Sequence, residues 1–261
     1  SSSQQPISRR RLGASFSASR KTYDAAAEFH LRLAQRLSSR VRELQQNFAR
    51  ALEIGTHTGL QTTCMLPCLQ KEGTLITSDI YKVDAPEIAA LDSRRHLRLV
   101  CSGEALPFRR ETFDLIFSGS VFQWFEDWDE SMDALISNLE CGGILAFSQF
   151  LAPSLEPLRS LFAEVGESAR FVELAHEEAW RARLSRFTVL SVDVLHHTFH
   201  FDTPRDLFNW MKRVGIRVSA ERDRPLGKAA LKEIVAALET QRDAEGVPLH
   251  LCAGAVLIRK D

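Results

Sequence analysis

The chain has 261 residues, 44% of them hydrophobic, and a formal net charge of −1. That is enough apolar material for one large core, with none of the basic excess that nucleic acid or an anionic membrane surface selects. No run of about 18 apolar residues occurs, so no transmembrane helix is expected, nor is a signal-peptide core. The five cysteines form no framework spacing and read as free thiols in a reducing, cytoplasmic compartment.

In chain order, Ser1–Gln5 and the arginines at 9–11 read as a solvated tail. From Thr22 to Arg50 the pattern is helical, with Tyr23, Ala26, Ala27, His30, Leu33, Ala34, Leu37, Val41 and Leu44 recurring at three- and four-residue steps. This helix precedes the first strand and is expected to cap the ligand end of a sheet. Next come a strand near 50–54, a helix over 59–70, a strand over 74–79 and a helix over 84–91. Strands at 97–101 and 113–118, a helix at 128–139 and a strand at 143–150 complete the rhythm of a parallel sheet covered on both faces. Past 150 the rhythm changes. Helices are expected at 154–166, 175–184, 205–214 and 228–244, with Thr203-Pro204 as an N-cap followed by proline in the first turn. Long strands are expected at 187–201 and 247–260. His196, His197 and His200 hint at a metal, but residues 197 and 200 cannot share a face of a strand, and no metal site is expected. Three segments follow: a tail and capping helix (1–45), an α/β sheet core (46–150), and cap helices with closing strands of the same domain (151–261).

The stretch Glu53-Ile54-Gly55-Thr56-His57-Thr58-Gly59 reads as the end of a buried strand, a glycine turn and a helix start, the place where parallel α/β sheets bind cofactors. Asp79, at the end of the next strand, is the acid that a ribose-binding turn needs about 20 residues on.

These residues resemble the E/D-x-G-x-G-x-G motif and ribose-binding acid of class I S-adenosylmethionine-dependent methyltransferases. Cys101-Ser102-Gly103-Glu104-Ala105-Leu106-Pro107-Phe108 resembles their adenine-bracketing loop, and Phe113-Asp114-Leu115-Ile116-Phe117-Ser118 the strand after it. Within that superfamily, Phe16 through Tyr23-Asp24 and on to Ala27, Phe122-Gln123-Trp124, and the helix ending Lys212-Arg213-Val214-Gly215 resemble BioC-type malonyl-acyl-carrier-protein O-methyltransferases. The resemblance spans roughly residues 16–258. It implies a Rossmann-like α/β sheet, mostly parallel with a late antiparallel strand, a helical cap from the N-terminus and C-terminal insertions. It also implies S-adenosyl-L-methionine held by Glu53, Gly55, His57, Gly59, Asp79, Ser102, Gly103 and Ser118. Tyr23 and Gln123 would hydrogen-bond near the reaction and Trp124 pack there, while Lys212 or Arg213 would hold the substrate's anionic end or meet a carrier protein. The substrate implied is a malonyl thioester, on acyl carrier protein or coenzyme A, methylated at its free carboxylate early in biotin synthesis. Four positions depart from the family pattern: His57 replaces the middle glycine, Ser102 the loop aspartate, His30 a glutamine, and Cys252 or Ala253 a tyrosine of the last strand. Another acceptor, small or macromolecular, and a non-catalytic partner protein that keeps the fold, are the readings left open.

Overall fold

A computed structural model describes residues 28–45, 47–83, 85, 88, 91, 95–168, 171–213 and 226–261. Its centre is one seven-stranded sheet. The strands are β1 (Phe48–Ile54), β2 (Leu69–Asp79), β3 (His96–Val100), β4 (Phe113–Gly119), β5 (Leu139–Phe150), β6 (Thr188–Phe201) and β7 (Val247–Arg259). They lie in the order β3-β2-β1-β4-β5-β7-β6, and β7 runs antiparallel to both of its neighbours. The order reverses between β1 and β4, and such a switch point opens a crevice at the strands' carboxyl ends.

Strand alternation sorts the core into two faces. On one face Ala51, Leu115, Phe117, Ala146 and Leu257 pack with Leu37 and Val41 of helix α1 (Glu28–Leu44) and with Met65 of α2 (Leu60–Met65). On the other, Leu52, Ile116, Leu145, Phe147 and Ile258 pack with Trp128, Met132 and Leu135 of α3 (Trp128–Asn138). The same face holds Trp180 and Leu184 of α5 (Glu177–Leu184). A third cluster lies beyond residue 150. There Leu158 and Leu161 of α4 (Leu158–Glu164) meet Leu207 and Trp210 of α6 (Pro204–Arg213), Ile234 and Leu238 of α7 (Lys228–Thr240), and Phe29 and Leu33 of α1.

Several boundaries differ from the sequence expectation, each for a local reason. α1 ends at Leu44, which is 46% exposed rather than buried, and Phe29 joins the apolar face instead. Asn47 turns the chain with φ 69°. β1 then starts at Phe48, paired with Leu69 of β2, and its register to β2 slips before Arg50; on the β4 side, where pairing begins at Ala51, the carboxylate of Asp114 accepts the Ala49 and Arg50 N–H groups. The expected helix over 59–70 stops at Met65. Pro67 lies in a 3-10 turn, Leu66–Cys68, and β2 begins at Leu69, five residues ahead of the expected Thr74. α4 starts four residues late, at Leu158. Helix α1 also lies along a face of the sheet, and only its amino-terminal end reaches the crevice, where His30 and Ala34 stand. The expected helix over 84–91 lies largely outside the described residues. Thr203 does cap α6: its Oγ1 accepts the Asp206 N–H at 3.2 Å.

The histidines of β6 are engaged separately. His197 Nδ1 lies 2.9 Å from Arg32, and His200 lies between Asp243 (3.1 Å) and Glu245 (3.3 Å). Among the described residues no cluster of three groups suits a metal ion. No helix there is long and apolar enough to cross a membrane. The described cysteines form no disulfide: Cys68 and Cys252 are buried, Cys64 and Cys101 half-buried and Cys141 exposed.

Candidate active site

The crevice at the switch point is a cavity of about 220 Å³. Its first wall is the turn after β1. Gly55 N–H and Thr56 N–H both donate to the Ser78 carbonyl, and Gly59 N–H donates to the Thr56 carbonyl. This tight path needs left-handed backbone at Gly55 (φ 76°), His57 (φ 46°) and Gly59 (φ 84°). At Gly55 a Cβ would also fall 2.2 Å from Val121 Cγ2, so glycine is required on two counts. His57 occupies the left-handed region without glycine's freedom. The turn instead accepts its backbone N–H on Asp79 Oδ2, at 3.0 Å.

Asp79 is the polar centre of this half. It lines the cavity, and its carboxylate also accepts the Tyr81 N–H. Burial pushes its pKa up, while the backbone donors of His57 and Tyr81 pull the other way. Glu53 stands behind the turn instead of lining the cavity. It is fully buried, Thr62 Oγ1 donates to its Oε2, and its Oε1 has no partner. Burial pushes its pKa up to about 8, with the Thr62 hydrogen bond opposing. Ser118 is likewise a brace: it is buried, and its hydroxyl donates to the Ile54 carbonyl.

The second wall is the loop after β3. Cys101, Ser102, Gly103 and Glu104 line the cavity. Ser102 Oγ accepts the Glu104 N–H at 3.2 Å, and Glu104 Oε1 accepts the Glu126 N–H at 2.7 Å, tying this loop to the segment after β4. A Cβ at Gly103 would strike Ile54 Cγ2 at 2.5 Å. Ile80, Val121 and Phe125 add apolar wall.

After β4, Gln123 and Trp124 both line the cavity. The Gln123 amide binds backbone on both sides, donating to the Ser120 carbonyl (2.7 Å) and accepting the Phe150 N–H (3.4 Å). It therefore fixes the Ser120–Trp124 turn to the end of β5. Opposite stands His30 of α1, edge-on to Phe150 with ring centroids 5.3 Å apart. Burial, and next the nearby His57, lower its pKa to about 3, so it is neutral at physiological pH.

The cavity continues between Ser154, Leu155, Arg159, Phe171, Val172 and Leu251. Ser154 pins this half to β7, donating to the Cys252 carbonyl (2.6 Å) and accepting the Cys252 N–H (2.8 Å). Of the residues expected from sequence, the cavity thus gathers Gly55, His57, Asp79, Ser102, Gly103, Gln123 and Trp124, with Gly59 turning the chain at its edge. Tyr23 lies outside the described residues, as do the side chains of Lys212 and Arg213. His30, Gln61 and Arg159 line the cavity without having been expected there. For His30 the signal was present, as a polar residue on the apolar stripe of α1. For Arg159 it was an arginine set between Leu158 and Leu161 on an otherwise apolar helix face.

The lining suits a nucleoside-bearing cofactor. Asp79 offers a partly desolvated carboxylate to a diol, and apolar side chains flank Gly103. Gln61, 7% exposed, holds an amide Nε2 with no partner at the cavity wall beside Gly119.

The family described as "Methyltransferase domain" matches residues 21–221. The malonyl-[acyl-carrier protein] O-methyltransferase of Halorhodospira halophila is 30% identical over 232 residues, covering 85% of this chain and 76% of that protein. The biotin biosynthesis bifunctional protein BioHC of Saccharophagus degradans is 28% identical across 91% of this chain and 44% of its own length. Among solved structures, the YcgJ protein from Bacillus subtilis superposes with a TM-score of 0.58 at 19% identity, over 85% of this chain and 96% of that one. That last likeness concerns the fold alone.

Proposed function

The chain belongs to the methyltransferase domain family and, within it, to the family of the malonyl-[acyl-carrier protein] O-methyltransferases; from that premise we propose that it transfers a methyl group from S-adenosyl-L-methionine to the free carboxylate of a malonyl thioester. The handle is acyl carrier protein or coenzyme A, and the step lies early in the making of biotin's pimeloyl part, in keeping with the names of its relatives.

One observation carries the reading. A single cavity runs from the glycine turn and Asp79, past Gln123 and Trp124, into a mainly apolar chamber beyond β5. A cofactor and a small acid can therefore meet without bulk water between them. When bound, S-adenosyl-L-methionine supplies a methyl group on a sulfonium, which an already ionised carboxylate can attack without a general base. The protein's share is positioning and exclusion of water. Asp79 and the Gly55–Gly59 turn hold the nucleoside end. Gln123 keeps its turn against β5, and the Trp124 and Phe150 side chains help keep the meeting point dry. His30 stays neutral there and adds no positive charge beside a cationic cofactor. Glu53 and Ser118 act from behind, by bracing the turn and the end of β1. Lys212 and Arg213, late in α6, are proposed to meet the acidic carrier or the thioester's anionic end, and Tyr23 to hydrogen-bond near the reaction.

The test is direct. Purified protein is incubated with S-adenosyl-L-methionine and malonyl-acyl carrier protein, malonyl-coenzyme A or a non-carboxylated acyl thioester, and products are followed by mass spectrometry. Gain of a methyl ester on the malonyl thioesters alone is expected. Methylation of none of them by folded protein would overturn the reading.

A further inference from the structure

The chamber beyond β5 contains one feature that the reading above leaves unused. Arg159, on the first turn of α4, is the sole lysine or arginine among the described residues lining the cavity. It is half-buried. Its Nη1 donates to the Val172 carbonyl at 2.9 Å, and its guanidinium lies over the Phe171 ring, 5.2 Å from the centroid. Guanidinium carries five N–H donors in a planar fork, and the Val172 carbonyl takes one. Among the described residues no carboxylate pairs with it, and Glu156 and Glu173 act on it only at a distance. Glu156 is itself engaged, accepting the Ser160 hydroxyl at 2.7 Å. Burial lowers the pKa of Arg159, while the fields of Glu156 and Glu173 act the other way. Stacking on Phe171 and bonding to Val172 fix the plane of the fork, so its remaining donors are set in advance.

A half-buried, oriented and unpaired guanidinium in a chamber otherwise walled by Leu155, Phe171, Leu174 and Leu251 fits one ligand chemistry above others, a planar carboxylate. Building on the methyltransferase reading above, we propose that Arg159 is the anchor for the carboxylate of the acceptor, holding it opposite the cofactor end of the cavity. A carboxylate has about four lone-pair sites, so a fork that takes two leaves others free for attack. The attacking oxygen forms the bond to the methyl carbon as the carbon–sulfur bond breaks. The electron pair of the carbon–sulfur bond stays on sulfur, and no proton is transferred. The carboxylate becomes a neutral ester and Arg159 loses its ionic partner. The same contact that selects the acid therefore favours release of the product.

The test uses Arg159→Gln and Arg159→Lys, with two readouts. Calorimetry measures malonyl-coenzyme A binding to the protein saturated with S-adenosylhomocysteine, and steady-state assays give kcat and KM. For Arg159→Gln, malonyl-coenzyme A affinity and kcat/KM are expected to fall roughly 100-fold or more, as for loss of one partner of a buried charge pair, chiefly through KM. S-adenosylhomocysteine affinity should stay within about threefold, and Arg159→Lys, which keeps the charge without the fork, should fall between. A glutamine variant that binds and turns over malonyl-coenzyme A like the parent overturns the proposal. So does a loss that S-adenosylhomocysteine binding and melting temperature share equally in both variants, which would make Arg159 a staple between α4 and residue 172. If the parent protein fails to methylate any malonyl thioester, the functional reading falls. Arg159 as a carboxylate anchor then stands or falls on whether malonyl-coenzyme A binds the parent and not the glutamine variant.

Discussion

The two halves of the cavity are built by opposite means. The half proposed for the cofactor is built on turns: Gly55–Gly59, Asp79–Tyr81 and Cys101–Glu104 have their N–H groups held by bonds within each turn and, between the first two, by bonds to the Ser78 carbonyl and the Asp79 carboxylate. The acceptor half is side chain: Arg159, Phe171, Leu251 and His30 come from four separate segments and meet only because the third core cluster brings α1, α4 and β7 together. A wall of backbone should tolerate much side-chain change, such as His57 and Ser102, whereas a wall of side chains should change its ligand with a single substitution.

That division predicts unequal responses to mutation. Gly55→Ala should be the most damaging, because its Cβ meets both a left-handed φ of 76° and Val121 at 2.2 Å. S-adenosylhomocysteine affinity measured by calorimetry is expected to fall by about 100-fold or more, on the order of 3 kcal/mol. Retained affinity would show that the turn is not the cofactor's cradle. Gly254→Ala acts on packing under the other half: its Cβ would lie 2.3 Å from the buried Trp180 ring. Overpacking of this kind costs about 1–3 kcal/mol in denaturant titrations, and cofactor affinity should change less than about fivefold.

Next in size is a pair of buried groups with opposed pH effects. Glu53 has a folded pKa of about 8 against an ordinary 4.5, so the folded state holds a proton that the unfolded chain loses, and stability falls as pH rises between those values. His30 has a folded pKa of about 3 against 6.5, so the unfolded chain holds the extra proton and stability falls as pH drops through that window. Where the windows overlap, from 4.5 to 6.5, the two slopes cancel. Glu53→Gln should therefore remove a decline of at most ~1.4 kcal/mol per pH unit above pH 6.5, and His30→Gln a decline below pH 4.5. Melting curves that keep their slope in the glutamine variants would contradict this. The smallest effect is expected for His57→Gly. Relief of a left-handed non-glycine is offset by greater freedom of the unfolded chain, leaving under ~1 kcal/mol in stability and under about fivefold in S-adenosylhomocysteine affinity. Restoration of binding from nothing would mean that His57 had closed the site.

The same division decides what the sequence discloses. The glycine turn, Asp79 and the loop at 101–104 are each contiguous, so spacing located the first two and resemblance to a family motif the third, and the βαβ rhythm gave the parallel part of the sheet. Boundaries failed where a tertiary contact overrode local pattern, as when pairing with Leu69 set the start of β1 at Phe48 and Asp114 took the next two N–H groups. Roles failed where geometry hides a side chain. Glu53 and Ser118 belong to the cofactor motifs yet face away from the cavity, and Gln123 spends its amide on backbone. Arg159 left only a weak trace, because its meaning depends on Phe171 and Val172, twelve and thirteen positions on, and on a cavity that no local pattern encodes.

The measurement that bears most directly on this account is calorimetric titration of the purified chain with S-adenosylhomocysteine. Saturable binding in the micromolar range, about −8 kcal/mol, is predicted, with the same affinity in Arg159→Gln. Absence of binding heat from folded protein would contradict the backbone-built half as a cofactor site, and with it the proposed methyl transfer.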